Sequence, residues 1–348
     1  SMRRTELQIS LSALENNLKV IKSFTNASVQ GVVKANFYGL FDDKMHEIIE
    51  QNVESYAVIT IDEAVSLRKL TSKPILLFQG VHEQNDYEMI EENNLDFTIH
   101  SSWQLEGLSD FNLENSRIWL KLNTGMNRLG FNDKDFLIAL KEIEILNIKD
   151  IVLMSHLASS ETKSNPNNLK QIKKFIDVTK KFSYLKSMAN TGGIFNFKEA
   201  HFDIVRPGIG MYGGKYSEFG IKPVTKLRSK IISINKVRKG ESVGYDGMWT
   251  AQESSRVAAV GIGYADGLPF FSSEKTVIIN GEKFNTAGML SMDLMLVNLG
   301  KNVKVKVGDW VDIWGFENDL SNIAQQFETI SYKLLTNISS RVSKNYIE

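Results

Sequence analysis

At 348 residues the chain exceeds the usual size of one domain, so a barrel with additions or two domains is expected. With 42% hydrophobic and 24% charged residues it reads as an ordinary globular protein, and 41 basic residues offset 41 acidic ones without a run of like charge, so nothing favours nucleic acid or a membrane surface as partner. The absence of cysteine excludes disulfides, thiolate metal sites and a cysteine nucleophile, and suits a reducing, cytoplasmic setting.

The opening SMRRTELQ carries basic residues but no apolar core or small-residue cleavage site, and is not read as a secretory signal. From about residue 31 to 208, short β-rich runs alternate with polar segments of helical period. The runs are GVVKA from Gly31, SYAVIT from Ser55, PILLFQ from Pro74, DFTIH from Asp96, RIWLKL from Arg117, DIVLMSHL from Asp150, LKSMAN from Leu185 and DIVRPG from Asp203. Most are nearly continuous in apolar residues, as strands buried on both faces must be, and all fall far short of the ~20 residues a membrane helix needs. Between them, stretches such as DKMHEIIEQN, IDEAVSLRKL, DKDFLIALKEIEI and NNLKQIKKFIDVTKKF place apolar residues at i, i+3, i+4 and i+7 over a charged face, the signature of amphipathic helices.

Eight strands alternating with helices predict an α/β fold, a (β/α)8 TIM-type barrel, with an open doubly wound sheet as the alternative. After about Lys226 the texture changes to strands and turns: SKIISINKV, SVGYDG, SRVAAVGIGY, TVIINGEKF, LMLVNLG and DWVDIWG. Asn280-Gly281 is a two-residue hairpin signal of type I′, and Val307-Gly308-Asp309 a further turn. The expected division is therefore a barrel over residues 1–226 and a C-terminal, mostly-β domain over residues 227–348, with the first ten or so residues available to pack on the β-domain.

Active sites of such barrels are built at the C-terminal ends of the strands, and the unusual polar residues fall there. Lys34 closes the first run, Arg128 follows the fifth, His156 closes the sixth, Asn190 and Thr191 the seventh, and Arg206 and Gly208 the eighth. Each has an ordinary explanation taken singly: a solvated lysine, a satisfied core histidine, a plain tight turn. Together they suggest more. An amine just beyond a buried run loses solvation, which exposes the neutral nucleophile that condenses with an aldehyde. An aldehyde cofactor carrying a phosphate would use the amides and hydroxyls of ANTGG and RPGIG, with Tyr38 adding a phenol. Arg206 at a buried strand end needs an acceptor, and a pyridine nitrogen would serve.

The stretches VVKANFYG, KLNTGMNRLGF, SHLAS, ANTGG, RPGIGMYG, VGYDGMWTA, GIGYADG, GMLSMD, VGDWVDIWG and RVSKNY, in that order from about residue 5 to the C-terminus, resemble the alanine racemase family. The resemblance implies a barrel binding pyridoxal 5'-phosphate, a C-terminal β-domain, and a homodimer whose active sites each borrow residues from the partner. Lys34 falls on the lysine that holds the cofactor, and Tyr264 on the opposing tyrosine. Tyr38, Asn190, Thr191, Gly208 and Ile209 fall on phosphate-binding positions, Arg206 on the partner of the pyridine nitrogen, and His156 on the histidine that backs Arg206 and Tyr264. Arg128 matches an arginine near the phenolic oxygen and the substrate carboxylate, and Met292 the residue whose amide meets that carboxylate.

The activity implied is two-base interconversion of L- and D-alanine, with Lys34 taking the α-proton of D-alanine and Tyr264 that of L-alanine, supplying D-alanine for peptidoglycan. Lys121 matches a lysine carbamylated in some members, but the usual aspartate two residues on is Asn123, so its modification is left open. Met289 and Ser340 depart from arginine and tyrosine near the substrate entrance, and Leu40 replaces a histidine. A serine, lysine or broad-scope racemase therefore stays in play. A decarboxylase of the same barrel class would want a cysteine, and a non-enzymatic pyridoxal-phosphate carrier would lack GIGYADG and GMLSMD. No metal site is expected.

Overall fold

The computed structural model describes residues 5–348. Eight parallel strands, Ser28–Val32, Ser55–Val58, Ile75–Leu77, Asp96–Ile99, Leu113–Lys121, Ile148–Met154, Leu185–Ser187 and Ile204–Val205, close into a barrel, the last pairing with the first through Ser28↔Ile204 and Val29↔Val205. This is the expected (β/α)8 barrel, and each strand lies within or against one of the eight runs read from the sequence. The eighth is shorter than its run. Pro207 has no N–H to donate and ends the ladder, while its carbonyl takes the Val32 N–H at 3.0 Å.

Caps in the loops fix where the barrel helices begin, and therefore where the strand ends are left open. Asp42 accepts from the Lys44 N–H at the start of helix Asp43–Asn52, and Thr60 forms a capping box with Glu63 before helix Ile61–Arg68. Asn132 accepts from the Asp135 N–H ahead of helix Asp133–Glu144. Each cap satisfies an amide that the helix cannot, typically for about 1 kcal/mol.

The chain separates into two compact units, Leu18–Met211 with the barrel, and residues 5–17 together with Tyr212–Glu348. The second is built on an eight-stranded sheet. Its long strand Thr225–Val237 pairs antiparallel with Thr5–Ser10, Ser255–Val260 and Trp310–Trp314, and Thr5–Ser10 pairs in parallel with the final strand Ser343–Ile347. The hairpin at Asn280-Gly281 has both residues left-handed, φ 52° and 81°, between Thr276–Ile279 and Glu282–Thr286. Two short helices, Leu320–Gln326 and Ser331–Thr336, follow the strand runs in this mostly-β domain. SVGYDG contributes only the two-residue strand Ser242–Val243, because Gly244 and Asp246 turn left-handed.

Among the described residues no helix is long and apolar enough to cross a membrane, and no group of three or more His, Asp and Glu side chains is placed to hold a metal.

The strand Thr5–Ser10 is tied down by a fork: Arg228 donates from Nε and Nη2 to Glu6 Oε1, each at 2.6 Å, and its guanidinium lies 3.9 Å from the Trp310 ring centroid. Lysine cannot reproduce both contacts. Arg228→Lys is expected to cost about 1 kcal/mol in urea unfolding, and an unchanged midpoint would show that the fork contributes nothing.

Candidate active site

Lys34 stands one residue beyond Val33, which closes the first barrel strand with its N–H on the Ala57 carbonyl. The four residues that follow, Ala35, Asn36, Phe37 and Tyr38, all have φ between 53° and 58°, a full left-handed turn without a glycine until Gly39. Such a turn costs roughly 1–2 kcal/mol per residue. Opposing this are the burial of Phe37 and Tyr38 and a 2.5 Å hydrogen bond from the Ala35 N–H to the Glu63 carboxylate. Glu63 already closes its capping box with its other oxygen, so the helix start and the turn share one anchor. Burial, then Arg128, lower the Lys34 pKa, with Glu63 pulling the other way.

Arg206 lies 2% exposed at the end of the eighth strand. Its Nη1 donates to Ser187 Oγ at 2.6 Å and its Nη2 to the Ser155 carbonyl at 2.7 Å, and its guanidinium sits 5.4 Å from the Phe78 ring centroid. Burial pulls its pKa down to about 9, so it remains a cation at neutral pH. Its Nε is buried without a partner among the described residues. Nη2 also reaches His156 Nδ1 at 3.4 Å. Because arginine can only donate, Nδ1 is the acceptor and the proton of neutral His156 is on Nε2. His156 is held well below its ordinary pKa by burial and then by Arg206, Lys121, Arg128 and Lys34, so it is neutral.

Lys121, at the end of the fifth strand and 3% exposed, is drawn down to about 7 by burial, then by Arg206, Arg128 and Lys34. Asn123 shapes the loop beyond it, accepting from the N–H groups of Gly125 and Asn127 at 3.0 and 3.1 Å. Arg128, on the same loop, is exposed.

A separate cradle forms around Gly208. A Cβ there would overlap the Tyr38 hydroxyl, and one at Gly210 would overlap the Thr191 methyl. Thr191 Oγ1 accepts from the N–H groups of Gly208 and Gly210 at 3.1 and 3.4 Å. Tyr38 is buried, which pushes its phenol pKa up and keeps it a donor. Ile209 is buried beside them. Asn190 is otherwise engaged: its Oδ1 accepts from Ser160 Oγ and the Gly193 N–H, and its Nδ2 donates to the Leu157 carbonyl, so its side chain shapes the turn.

Tyr264 and Met292 belong to the sheet unit, on two loops laced together. Tyr264 N–H donates to the Ser291 carbonyl at 3.1 Å and Ala265 N–H to the Met292 carbonyl at 3.0 Å. Gly263 leaves no space for a Cβ against Met292. The buried Asp266 carboxylate accepts from the Gly263 N–H at 2.9 Å, and Arg341 spans Asp266 and Asp293 at 3.4 and 2.7 Å. Both the Tyr264 ring, edge-on to Phe270, and the Met292 side chain are exposed.

Residues 9–216 match the family model for the alanine racemase N-terminal domain, and residues 224–346 that for its C-terminal domain. The chain belongs to the alanine racemase family. It is thereby an enzyme of an isomerase family. An alanine racemase of Mannheimia succiniciproducens is 34% identical over 365 residues, spanning 100% of both chains, and one of Vesicomyosocius okutanii is 38% identical over 351 residues and 97% of each. The fold matches the crystal structure of the biosynthetic alanine racemase of Pseudomonas aeruginosa with a TM-score of 0.96 at 30% identity over 100% of both chains. An alanine racemase of Bartonella henselae, whose structure holds covalently bound pyridoxal phosphate, matches with a TM-score of 0.91 at 28% identity, over 99% of this chain and 100% of that one.

In this member of the alanine racemase family the residues that sequence reasoning passed over are the ones that hold the site. Ser155, Ser187 and Phe78 surround Arg206, Glu63 holds the turn after Lys34, and Gln171 braces His156. Ser155 and Ser187 did leave a signal, as small polar residues within the runs DIVLMSHL and LKSMAN.

Lys121 gives a test of the buried charge. Its folded pKa lies below the ordinary 10.5, so the unfolded chain binds more protons between pH 7 and 10.5, and stability rises with pH across that window. Lys121→Met in CO2-free buffer is expected to be more stable than the parent by a few kcal/mol at pH 6.5. Urea midpoints should converge by about pH 10; a gap that does not narrow would place Lys121 in a well-solvated setting.

Proposed function

We propose that the protein interconverts L- and D-alanine with pyridoxal phosphate held in the barrel, two copies of the chain completing each other's sites, and that its product serves peptidoglycan synthesis. The observation that carries the reading is Arg206: a buried guanidinium whose Nε has no acceptor among the described residues, at the end of the barrel where Lys34 also stands. An unpaired buried donor of a charged group costs several kcal/mol, which a heteroaromatic ring nitrogen would relieve.

The other residues fit the same group. Lys34, partly desolvated and with Arg128 lowering its pKa against Glu63, can offer a neutral amine to an aldehyde. Tyr38, whose hydroxyl the bare Gly208 admits, and the backbone at Ile209 suit a phosphate, and Thr191, whose Oγ1 accepts from the Gly208 and Gly210 N–H groups, still has its hydroxyl proton to give to it. Asn190 contributes by capping the turn that carries Thr191. Bound there, pyridoxal phosphate would supply the electron-withdrawing ring that acidifies the substrate's α-hydrogen.

Racemisation then needs a base on each face of the α-carbon. Lys34 Nζ is the base on one face, moving the proton of D-alanine. Tyr264 Oη, brought by a second copy of the chain, is the base on the other, moving that of L-alanine. His156 assists it: with Nδ1 occupied by Arg206, its Nε2–H is the group left to stabilise a phenolate. Arg128 and the Met292 N–H, which has no acceptor among the described residues, would hold the substrate carboxylate. A carbamate on Lys121 would set a negative charge beside Arg128. Arg206, a donor only, would leave a ring nitrogen beside it unprotonated, and so would limit the electron withdrawal that the cofactor supplies and discourage side reactions.

Lys34→Ala should lose the visible absorbance of bound cofactor and nearly all turnover, and an unchanged spectrum would defeat the assignment. Tyr264→Phe should be asymmetric when α-proton exchange into D2O is followed by NMR: exchange from L-alanine falls far more than exchange from D-alanine. Equal losses would count against two bases.

A further inference from the structure

Gln171 projects from helix Asn167–Thr179 and is 3% exposed, and every hydrogen-bonding group of its amide that the neighbours engage has a single possible direction. Its Oε1 accepts from the Ala158 N–H at 2.9 Å, and its Nε2 donates to the His156 carbonyl at 2.9 Å and to Thr124 Oγ1 at 3.0 Å. Ala158 N–H can only give and the His156 carbonyl can only receive, so the amide is fixed in one orientation.

The relay continues in one sense. Ser155 Oγ donates its only proton to the Leu122 carbonyl at 2.8 Å, so in the 2.7 Å contact between Thr124 and Ser155 the donor is Thr124. Thr124 Oγ1 is therefore free to receive from Gln171. The next carbonyl along, that of Ser155, receives the Arg206 guanidinium. One side chain thus buckles the loop after the fifth strand, which leads to Arg128, to the loop after the sixth, which carries His156, and touches neither Lys34 nor the turn that holds it.

We infer that Gln171 is a positioning residue for one arm of the reaction: it sets His156 where Nδ1 meets Arg206 and the proton is kept on Nε2, and so supports the base that serves L-alanine but not the amine that serves D-alanine. The inference rests on the proposed racemase reading. Because the two enantiomers have equal free energy, net racemisation has the same kcat/KM in both directions whatever the variant, so only α-proton exchange can reveal the arm affected.

The test is Gln171→Leu as holoenzyme, with exchange from each enantiomer into D2O followed by proton NMR across pH. Exchange from L-alanine should fall by about tenfold or more, and its acid limb should move to higher pH as the phenolate loses support, while exchange from D-alanine changes less than about threefold and cofactor absorbance persists. Equal losses for both enantiomers, or an unmoved acid limb, would overturn the inference. Should Gln171→Leu fail to fold, Thr124→Val cuts the same relay with little change of volume, and must show a smaller loss of the same asymmetry. A wild-type enzyme that exchanges neither enantiomer would instead defeat the racemase reading itself.

Discussion

A guanidinium buried at the open end of a barrel constrains everything around it. Moving a cation out of water is expensive unless each donor finds an acceptor, and Arg206 is 2% exposed. Ser187 Oγ, at the last residue of the seventh strand, and the Ser155 carbonyl, one residue past the end of the sixth, take two of its nitrogens. The charge in turn fixes its neighbours. It occupies His156 Nδ1 and so chooses the tautomer, and it stands first among the charges that hold His156 neutral and, after burial, draws Lys121 toward neutrality.

Lys34, Lys121, Arg128 and Arg206 act on His156 together, with Glu63 the one carboxylate that enters the balance at Lys34. A chain of zero formal net charge has therefore concentrated cations at one end of its barrel. Such a focus has a cost that an anion repays. A cofactor phosphate and a substrate carboxylate are the two anions the proposed reaction brings, so the electrostatics of the barrel end and the chemistry proposed for it point the same way. The lowered lysine pKa values follow from that crowding and from burial, without any dedicated device.

The barrel could be read from the sequence because buried parallel strands write themselves as continuous apolar runs, and runs such as PILLFQ and DIVLMSHL leave no other use for their residues. Residues at strand ends were legible as polar breaks in those runs, which is why Lys34, His156 and Arg206 stood out. Apart from Ser155 and Ser187, their supports were not. Gln171 lies on the polar-rich stretch NNLKQIKKF, where nothing local distinguishes a glutamine that turns inward from one in solvent, and its partners are 13 to 47 positions away. Asn190 shows the converse: a residue picked out for an expected ligand spends its side chain on Ser160, Gly193 and Leu157, because an asparagine before a helix start is first of all a cap.

The left-handed turn Ala35–Tyr38 joins these threads. Four non-glycine residues in that conformation would relax if the chain were free, so the turn exists because its surroundings over-determine it: Phe37 and Tyr38 are locked in the core, and the Ala35 N–H is bound by a carboxylate. What the strain achieves is geometric. A right-handed helix starting at Lys34 would carry the chain onward along the barrel wall, whereas this turn brings Tyr38 to Gly208, four residues on from the amine and beside the last strand. The lysine and the phenol are thereby held a fixed four residues apart by a segment too short and too tightly held to drift, which is the spacing the proposed cofactor, with its aldehyde and its phosphate, would call for.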